Sequence, residues 1–201
     1  MRKIDSIEAL EALYPRKPSE PATKKVSDGL IPTYLAWIER ARFCVVSTVG
    51  PEGTDSSPRG DDGPVALVLD ARTLAIPDWR GNNRLDTLRN IVRDGRVSLM
   101  FMVPGSMNVM RVNGTAVLTD DPALTERFDR AGKLPRSVIV VTVAEVYAQC
   151  ARAILRAGLW ERDDADGLPS VGDMLRDVTD GAFDGEGYDL EWTARARDTM
   201  W

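Results

Sequence analysis

Apolar residues change their spacing along this chain, and the changes mark out its elements. From Ile4 to Tyr14 they recur at Ile4, Ile7, Leu10, Leu13 and Tyr14, the pattern of a short amphipathic helix that must stop at Pro15. Residues 15–25 carry proline, lysine and serine without a period and read as a linker. A second helix is expected through Tyr34, Trp37, Ile38 and Ala41, with Ser27 or Asp28 as its cap and Pro32 tolerated in its first turns. Strand patterns then take over. Phe43 to Val49 is apolar and β-branched, and Gly50-Pro51-Glu52-Gly53 turns the chain so that Thr54 to Arg59 returns beside it. Pro64 to Leu69 and Thr73 to Ile76 predict a second hairpin around Asp70-Ala71-Arg72. Arg96 to Val103, Val109 to Leu118 and Ser137 to Val146 follow as further strands. Asn113-Gly114 lies inside the middle one and reads as a bend or bulge rather than a turn. A helix over Pro122 to Ala131, capped by Asp120 or Asp121, separates the last two. The tail alternates helical pieces, Val171 to Val178 and Leu190 to Met200, with a glycine-acid loop from Asp180 to Gly187.

The stretch from Ile76 to Val92 joins these halves. A strand end at Leu74 and Ile76 breaks at Pro77, turns through Gly81-Asn82-Asn83 and becomes a helix with Leu85, Leu88, Ile91 and Val92 as its apolar face. Asn82 and Asn83 are turn and cap types, and Asp86 falls in the first turn, where a carboxylate suits the helix dipole. A helix start preceded by Arg84 suits an anion, because free N–H groups and a guanidinium both favour phosphate. A capped helix start would explain the asparagines equally well without a ligand.

Charge and composition narrow the chemistry. A net charge of −5 disfavours nucleic-acid or acidic-membrane binding, since either needs a basic surface, but allows a local basic pocket. Histidine is absent, which removes the usual base near neutral pH and the common nucleophile pairs; chemistry here would come from a bound cofactor, and no metal is expected. Cys44 and Cys150 form no Cys-x-x-Cys motif, and Cys44, inside Phe43-Cys44-Val45-Val46, reads as a small buried hydrophobe. The first residues lack the apolar core of a signal peptide, and no apolar run is long enough to span a membrane, so a cytoplasmic setting is expected.

Three arginine-bearing segments stand out: Asp55-Ser56-Ser57-Pro58-Arg59-Gly60-Asp61, the turn with Arg84, and Arg111 between Met110 and Val112. Each has a plainer explanation. Arg59 and Asp61 could pair on the surface at little gain, and Arg111 could face solvent from its strand. Spacing does not show that the three converge.

Taken in order, Ser-Pro-Arg-Gly-Asp (57–61), Ile-Pro-Asp-Trp-Arg-Gly-Asn-Asn-Arg (76–84) with Leu-Asp-Thr-Leu-Arg-Asn-Ile (85–91), and Arg-Val-Asn-Gly (111–114) resemble the pyridoxamine 5′-phosphate oxidase-like flavoproteins, which are FMN-binding split β-barrels. The likeness is greatest to the bacterial FMN-dependent subfamily in which Gly-Asn-Asn-Arg opens the helix, and it spans roughly Trp37 to Trp160. The segment Gln149 to Trp160 resembles that subfamily's closing signature. The resemblance implies a homodimer with FMN at the subunit interface. It implies that Ser57, Pro58, Arg59 and Asp61 run beside the flavin, with Arg59 in contact and placed to stabilise the reduced ring. Asp78 and Trp79 would lie at its ring or ribityl end, and Asn82, Asn83 and Arg84 would hold the phosphate. Arg111 would reach FMN from the other chain, with Arg156 and Trp160 closing that side. This chain departs from the family pattern at Gln149, where histidine is common, at Arg152 and Arg156-Ala157, and at Trp79, which either stacks near the flavin or packs at the barrel rim. With no histidine to grip it, pyridoxamine phosphate is not the expected substrate.

The expected fold is therefore mainly β (α+β): a six- to seven-stranded antiparallel split β-barrel with peripheral helices. Residues 1–42 form a helical arm, 43–160 the FMN-binding domain, and 161–201 a helical extension packed on the barrel or the partner subunit. The expected function is that of an FMN-dependent oxidoreductase working by hydride transfer on a small molecule, with an electron donor such as NAD(P)H and no catalytic acid or base assigned. The alternatives are a flavin- or tetrapyrrole-binding module without turnover and a deazaflavin-dependent reductase.

Overall fold

Alternating inward residues on successive strands line up across the sheet and build the core. In the computed structural model, which describes residues 1–150 and 152–201, β1 (Phe43–Gly50) turns inward Cys44, Val46 and Thr48, while β5 (Arg96–Met102) turns inward Val97, Leu99 and Phe101. Their register sets Cys44 opposite Phe101 and Val46 opposite Leu99. The row continues into β6 (Val109–Thr119) and β7 (Ser137–Gln149), where Leu99 faces Val112 and Val112 faces Val146. On β4 (Thr73–Asp78), Leu74 and Ile76 meet Val141 and Ile139. Each fully buried aliphatic side chain of this row contributes roughly 1.5–3 kcal/mol by leaving water.

With β2 (Gly53–Gly60) and β3 (Leu67–Asp70), the described residues form one seven-stranded sheet in the order β2-β1-β5-β6-β7-β4-β3, antiparallel throughout. The sheet curls but does not close: β2 and β3 remain its two edges. This is an α+β split barrel.

A bulge makes the curl possible. Asn113 pairs with Glu145 but Gly114 pairs with Val143, so Ala144 on β7 has no partner. The inward phase of β7 shifts there, from Val146 to Val143, Val141 and Ile139, and the strand bends from its β1–β5–β6 neighbours toward β4. The sequence places this irregularity at Gly114; the extra residue is on the facing strand. Gly114 is what permits it, because a Cβ there would lie 2.0 Å from the Thr142 carbonyl oxygen.

Eight α-helices are described: α1 (Ile7–Leu13), α2 (Glu20–Lys24), α3 (Pro32–Ile38), α4 (Asp86–Arg93), α5 (Pro122–Thr125), α6 (Arg152–Ala157), α7 (Val171–Val178) and α8 (Gly185–Asp198). Several differ from the sequence pattern. The expected linker contains α2, started by Ser19 with proline in its first turn. Neither Ser27 nor Asp28 caps α3; Ile31 precedes it, and Ser27 instead exchanges backbone hydrogen bonds with Val146. The strand does not break at Pro77. Pro77 pairs with Val138, and it is tolerated because β3 ends opposite Ala75, leaving β4 without a neighbour on that side. The glycine-acid loop is shorter than expected, since Gly185 and Gly187 already belong to α8, whose cap is Asp184. Ala151, inside the closing segment, lies outside the described residues. No described helix is long and apolar enough to cross a membrane.

The helix α4 rides on β1 and β2 with a different face from the one expected. Thr87, Asn90 and Ile91 are buried, whereas Leu85 and Val92 are exposed. A polar contact sets this rotation: the Asn90 amide donates to Thr48 Oγ1 at 3.2 Å, and Gly50 leaves the space that Asn90 fills. Thr87 Oγ1 donates to Asp55 on β2.

Replacing Gly114 with alanine should destabilise the fold by about 1–3 kcal/mol or more, since the new methyl overlaps backbone rather than a movable side chain. Urea unfolding of the variant against the unchanged protein measures this, and an unaltered midpoint would show that the bulge is softer than its geometry implies.

Candidate functional site

The two ends of the open sheet approach each other through side chains, and a cavity lies where they meet. Arg59, near the end of edge strand β2, donates from Nη1 to Asp78 Oδ1 at 2.6 Å, at the end of β4. Both side chains are only 18% exposed. Just beyond each strand a second contact spans the gap: Trp79 Nε1 donates to Asp61 Oδ2 at 2.9 Å. Asp61 is nearly buried and also accepts from Arg130. Arg59 and Asp61 therefore do not pair with each other, contrary to the plainer reading of that segment.

The cavity is about 1280 Å³. Small-molecule sites usually measure roughly 300–1,000 Å³, so there is room for a large ligand and part of another. Ser57, Pro58, Arg59 and Asp61 line one wall, and Asp78, Trp79, Asn82, Asn83 and Arg84 line the other. The structure thus gathers nine of the sequence-derived residues in one place. It does not gather Arg111, Arg156 and Trp160. Arg111 lies over the Tyr147 ring at 5.4 Å and reaches Gln149, Arg156 is in the last turn of α6, and Trp160 donates to the Ser106 carbonyl at 2.8 Å. All three lie outside this cavity within one chain.

The turn into α4 is not built as its residue types imply. Neither Asn82 nor Asn83 caps the helix. Leu85 occupies that position and offers no side-chain acceptor, so the first-turn N–H groups carry no side-chain cap. Asn82 Oδ1 instead accepts from the Arg84 N–H at 3.0 Å. Asn83 adopts φ 59°, a left-handed turn conformation that asparagine tolerates, and its Oδ1 accepts from Arg136 at 3.4 Å. Arg84 is exposed and pairs with Asp86 at 2.6 Å; the hydrogen bond to Asp86, and then its charge, hold the guanidinium above its ordinary pKa.

Sequence reasoning missed Arg136, Met200 and Trp201, which also line the cavity. Arg136 precedes β7 and arrives because β7 pairs with β4, a non-local register that no local pattern announces. Trp201, beyond α8, sets its ring edge-on to Trp79 at 5.1 Å between centroids, with Arg130 over it at 5.4 Å.

One buried side-chain atom among the described residues lacks a hydrogen-bond partner: Arg59 Nε. A buried unpaired donor costs roughly 1–3 kcal/mol, and here it belongs to a cavity-lining cation. The cation that lines this wall therefore carries a donor that no other group of the described chain uses.

A family model for pyridoxamine 5′-phosphate oxidase matches residues 30–150. Among solved structures, HupZ of Group A Streptococcus superposes with a TM-score of 0.51 at 16% identity, covering 61% of this chain and 96% of that one. A point variant of HupZ gives 0.50 at 17% identity, covering 59% and 98%. General stress protein 26 of Bacillus anthracis superposes more loosely, with a TM-score of 0.44 at 17% identity over 57% of this chain and 88% of that one. At these identities the HupZ likeness shows the fold alone. No curated protein matches the chain in sequence.

Directly opposite Arg59 in the β1–β2 register sits Cys44, fully buried, its thiol pushed up to about 12 by loss of solvent and only partly offset by the Arg59 charge. Two results follow. At pH 8 a thiol reagent should label the exposed Cys150 and leave Cys44 unlabelled until the protein unfolds. A raised folded-state pKa keeps its stabilisation below the unfolded value near 9 and loses it as pH rises toward 12, because only the unfolded chain releases the proton in that window. Unfolding free energy should therefore fall faster above pH 9 in the unchanged protein than in Cys44→Ala; parallel pH profiles would refute the assignment.

Proposed function

The chain belongs to the pyridoxamine 5′-phosphate oxidase family, and on that footing we propose that it binds FMN in the cavity at the sheet edges and works as an oxidoreductase on a small molecule. The observation that carries this reading is the convergence, on one cavity, of Arg59 with a helix start free of side-chain caps and flanked by Arg84 and Arg136. A phosphorylated tricycle matches that donor set: a dianion for the turn and acceptor atoms for Arg59.

Each residue has a task in this reading. The first-turn N–H groups of α4, with Arg84, receive the phosphate; Arg136, already on Asn83, holds the turn and adds a second cation. Arg84 must exchange Asp86 for the ligand, and that exchange is easy because an exposed pair contributes little. Arg59, kept in place by Asp78, sets its charge beside the ring and so favours a ring that has gained electrons. When bound, FMN supplies the hydride chemistry. No side chain is assigned as acid or base. Without histidine, the residues that would grip pyridoxamine phosphate are lacking, and the substrate is a different molecule.

The unit proposed is a homodimer, in which Arg111, Arg156 and Trp160 of one chain approach the cavity of the other. That arrangement gives a role to three residues which lie outside the cavity of their own chain.

The visible spectrum of the purified protein tests the cofactor directly. A flavin band that bleaches with NADH or NADPH supports a flavin enzyme, a flavin band that no donor bleaches supports a carrier, and a deazaflavin or tetrapyrrole band would replace FMN. In an FMN titration, Arg84→Ala should bind roughly 10- to 100-fold more weakly, the loss expected for a charge-assisted phosphate contact. Arg89→Ala, one turn further along α4, is the control and should change little. Equal affinity for both variants would remove Arg84 from the site. Sedimentation should give twice the 22.2 kDa chain mass; a single-chain species at every concentration would defeat the two-chain site.

A further inference from the structure

The cavity is electrically and chemically uneven. Among its lining residues, Arg80, Arg84 and Arg136 outnumber the carboxylates of Asp55 and Asp86, leaving an excess of positive charge around the turn into α4. The remaining charges are matched: Arg59 with Asp78, Arg130 with Asp61, and Asp62 with Arg42 outside the cavity at 3.5 Å. That neutral part is walled by two indoles. Trp79 is immobilised by its hydrogen bond to Asp61, and Trp201 is held between the Trp79 ring and the Arg130 guanidinium. Both rings are partly exposed, and both line the cavity. Asp61 and Asp78 are engaged by cations and offer no free carboxylate.

We propose that the Trp79–Trp201 end of the cavity is a subsite for an uncharged, flat aromatic second ligand, and that Trp201 is the residue that selects it. The proposal deepens the cofactor reading and rests on it for the identity of the first ligand. Three properties of the ligand follow. It is flat and aromatic, because fixed indole surfaces reward ring-to-ring contact beyond the burial of area. It is uncharged, because an added charge at this end would meet no unpaired partner and would lose its hydration. It is the second occupant, because the cavity is larger than one small molecule usually needs and the groups proposed for the phosphate belong to the turn into α4 and Arg136, not to the indole pair. Trp201 lies beyond α8 and outside every helix and strand, so its side chain can be changed without disturbing the sheet.

The test uses calorimetric titration of the full chain, with and without saturating FMN, with three probes of similar outline: naphthol (flat, uncharged), naphthoate (flat, charged) and decalol (uncharged, saturated and puckered). Naphthol should bind whether or not FMN is present, and naphthoate and decalol should bind more weakly. Trp201→Ala should weaken naphthol binding roughly five- to tenfold, with Trp201→Phe recovering part of the loss, while FMN affinity stays unchanged. Absence of naphthol binding, equal binding to Trp201→Ala, or equal binding of decalol would overturn the subsite. So would loss of naphthol binding once FMN is saturating, since this end would then belong to the cofactor ring. If FMN itself does not bind yet naphthol does so in a Trp201-dependent way, the cofactor reading fails and the aromatic site stands.

Discussion

The ion pair between Arg59 and Asp78 joins two strands that the sheet itself keeps apart. In the order β2-β1-β5-β6-β7-β4-β3, β2 is one edge and β4 lies next to the other. Backbone pairing does not close the gap, and each side of it carries a proline, Pro58 on β2 and Pro77 on β4, which cannot donate to a new ladder. Side chains bridge it instead. Both partners of the pair are largely shielded from water, so removing either would leave the other as an uncompensated charge. The cavity follows from this compromise. A barrel closed by hydrogen bonds would have filled its seam, whereas one closed by an arginine, an aspartate and an indole leaves a space lined with donors.

Much of this architecture was legible because apolar, β-branched runs bounded by turn residues leave little choice of element. Phe43–Gly50, Arg96–Met102 and Val109–Thr119 stand where their composition places them. Local patterns failed where a non-local contact decided the outcome. Pro77 looks like a breaker, yet it sits in a strand whose neighbour has already ended. The apolar spacing of residues 85–92 selects one helix face, but the hydrogen bond between Asn90 and Thr48 turns another inward. Asn82 and Asn83 have the composition of caps and act as turn residues, because Leu85 intervenes before the helix starts.

The site shows the same division. Short motifs carried the residues next to one another in sequence, from Ser57 to Asp61 and from Asp78 to Arg84, and both segments line the cavity. Arg136, Arg130 and Trp201 carry no motif. They are recruited from the segment before β7 and from beyond α8, by the β4–β7 register and by contacts among side chains. Arg111, Arg156 and Trp160 belong to segments with a family resemblance, yet within one chain Arg111 and Trp160 meet other partners and Arg156 lies on α6 outside the cavity.

Why a chain of net charge −5 should suit an anion is answered by how its cavity arginines are employed. Two of them, Arg59 and Arg130, meet carboxylates that are largely buried, Asp78 and Asp61, and these pairs hold the seam. Releasing them to a ligand would expose charges that the fold depends on keeping paired. Arg84 differs: its partner Asp86 is partly exposed and its own side chain is open to solvent, so water can replace the carboxylate at little loss. Arg136 meets only the neutral Asn83 amide. Cations without a buried carboxylate partner therefore gather at the turn, and Arg59 and Arg130 are already satisfied. The uneven charge of the cavity thus comes less from the number of arginines than from which of their aspartates are buried.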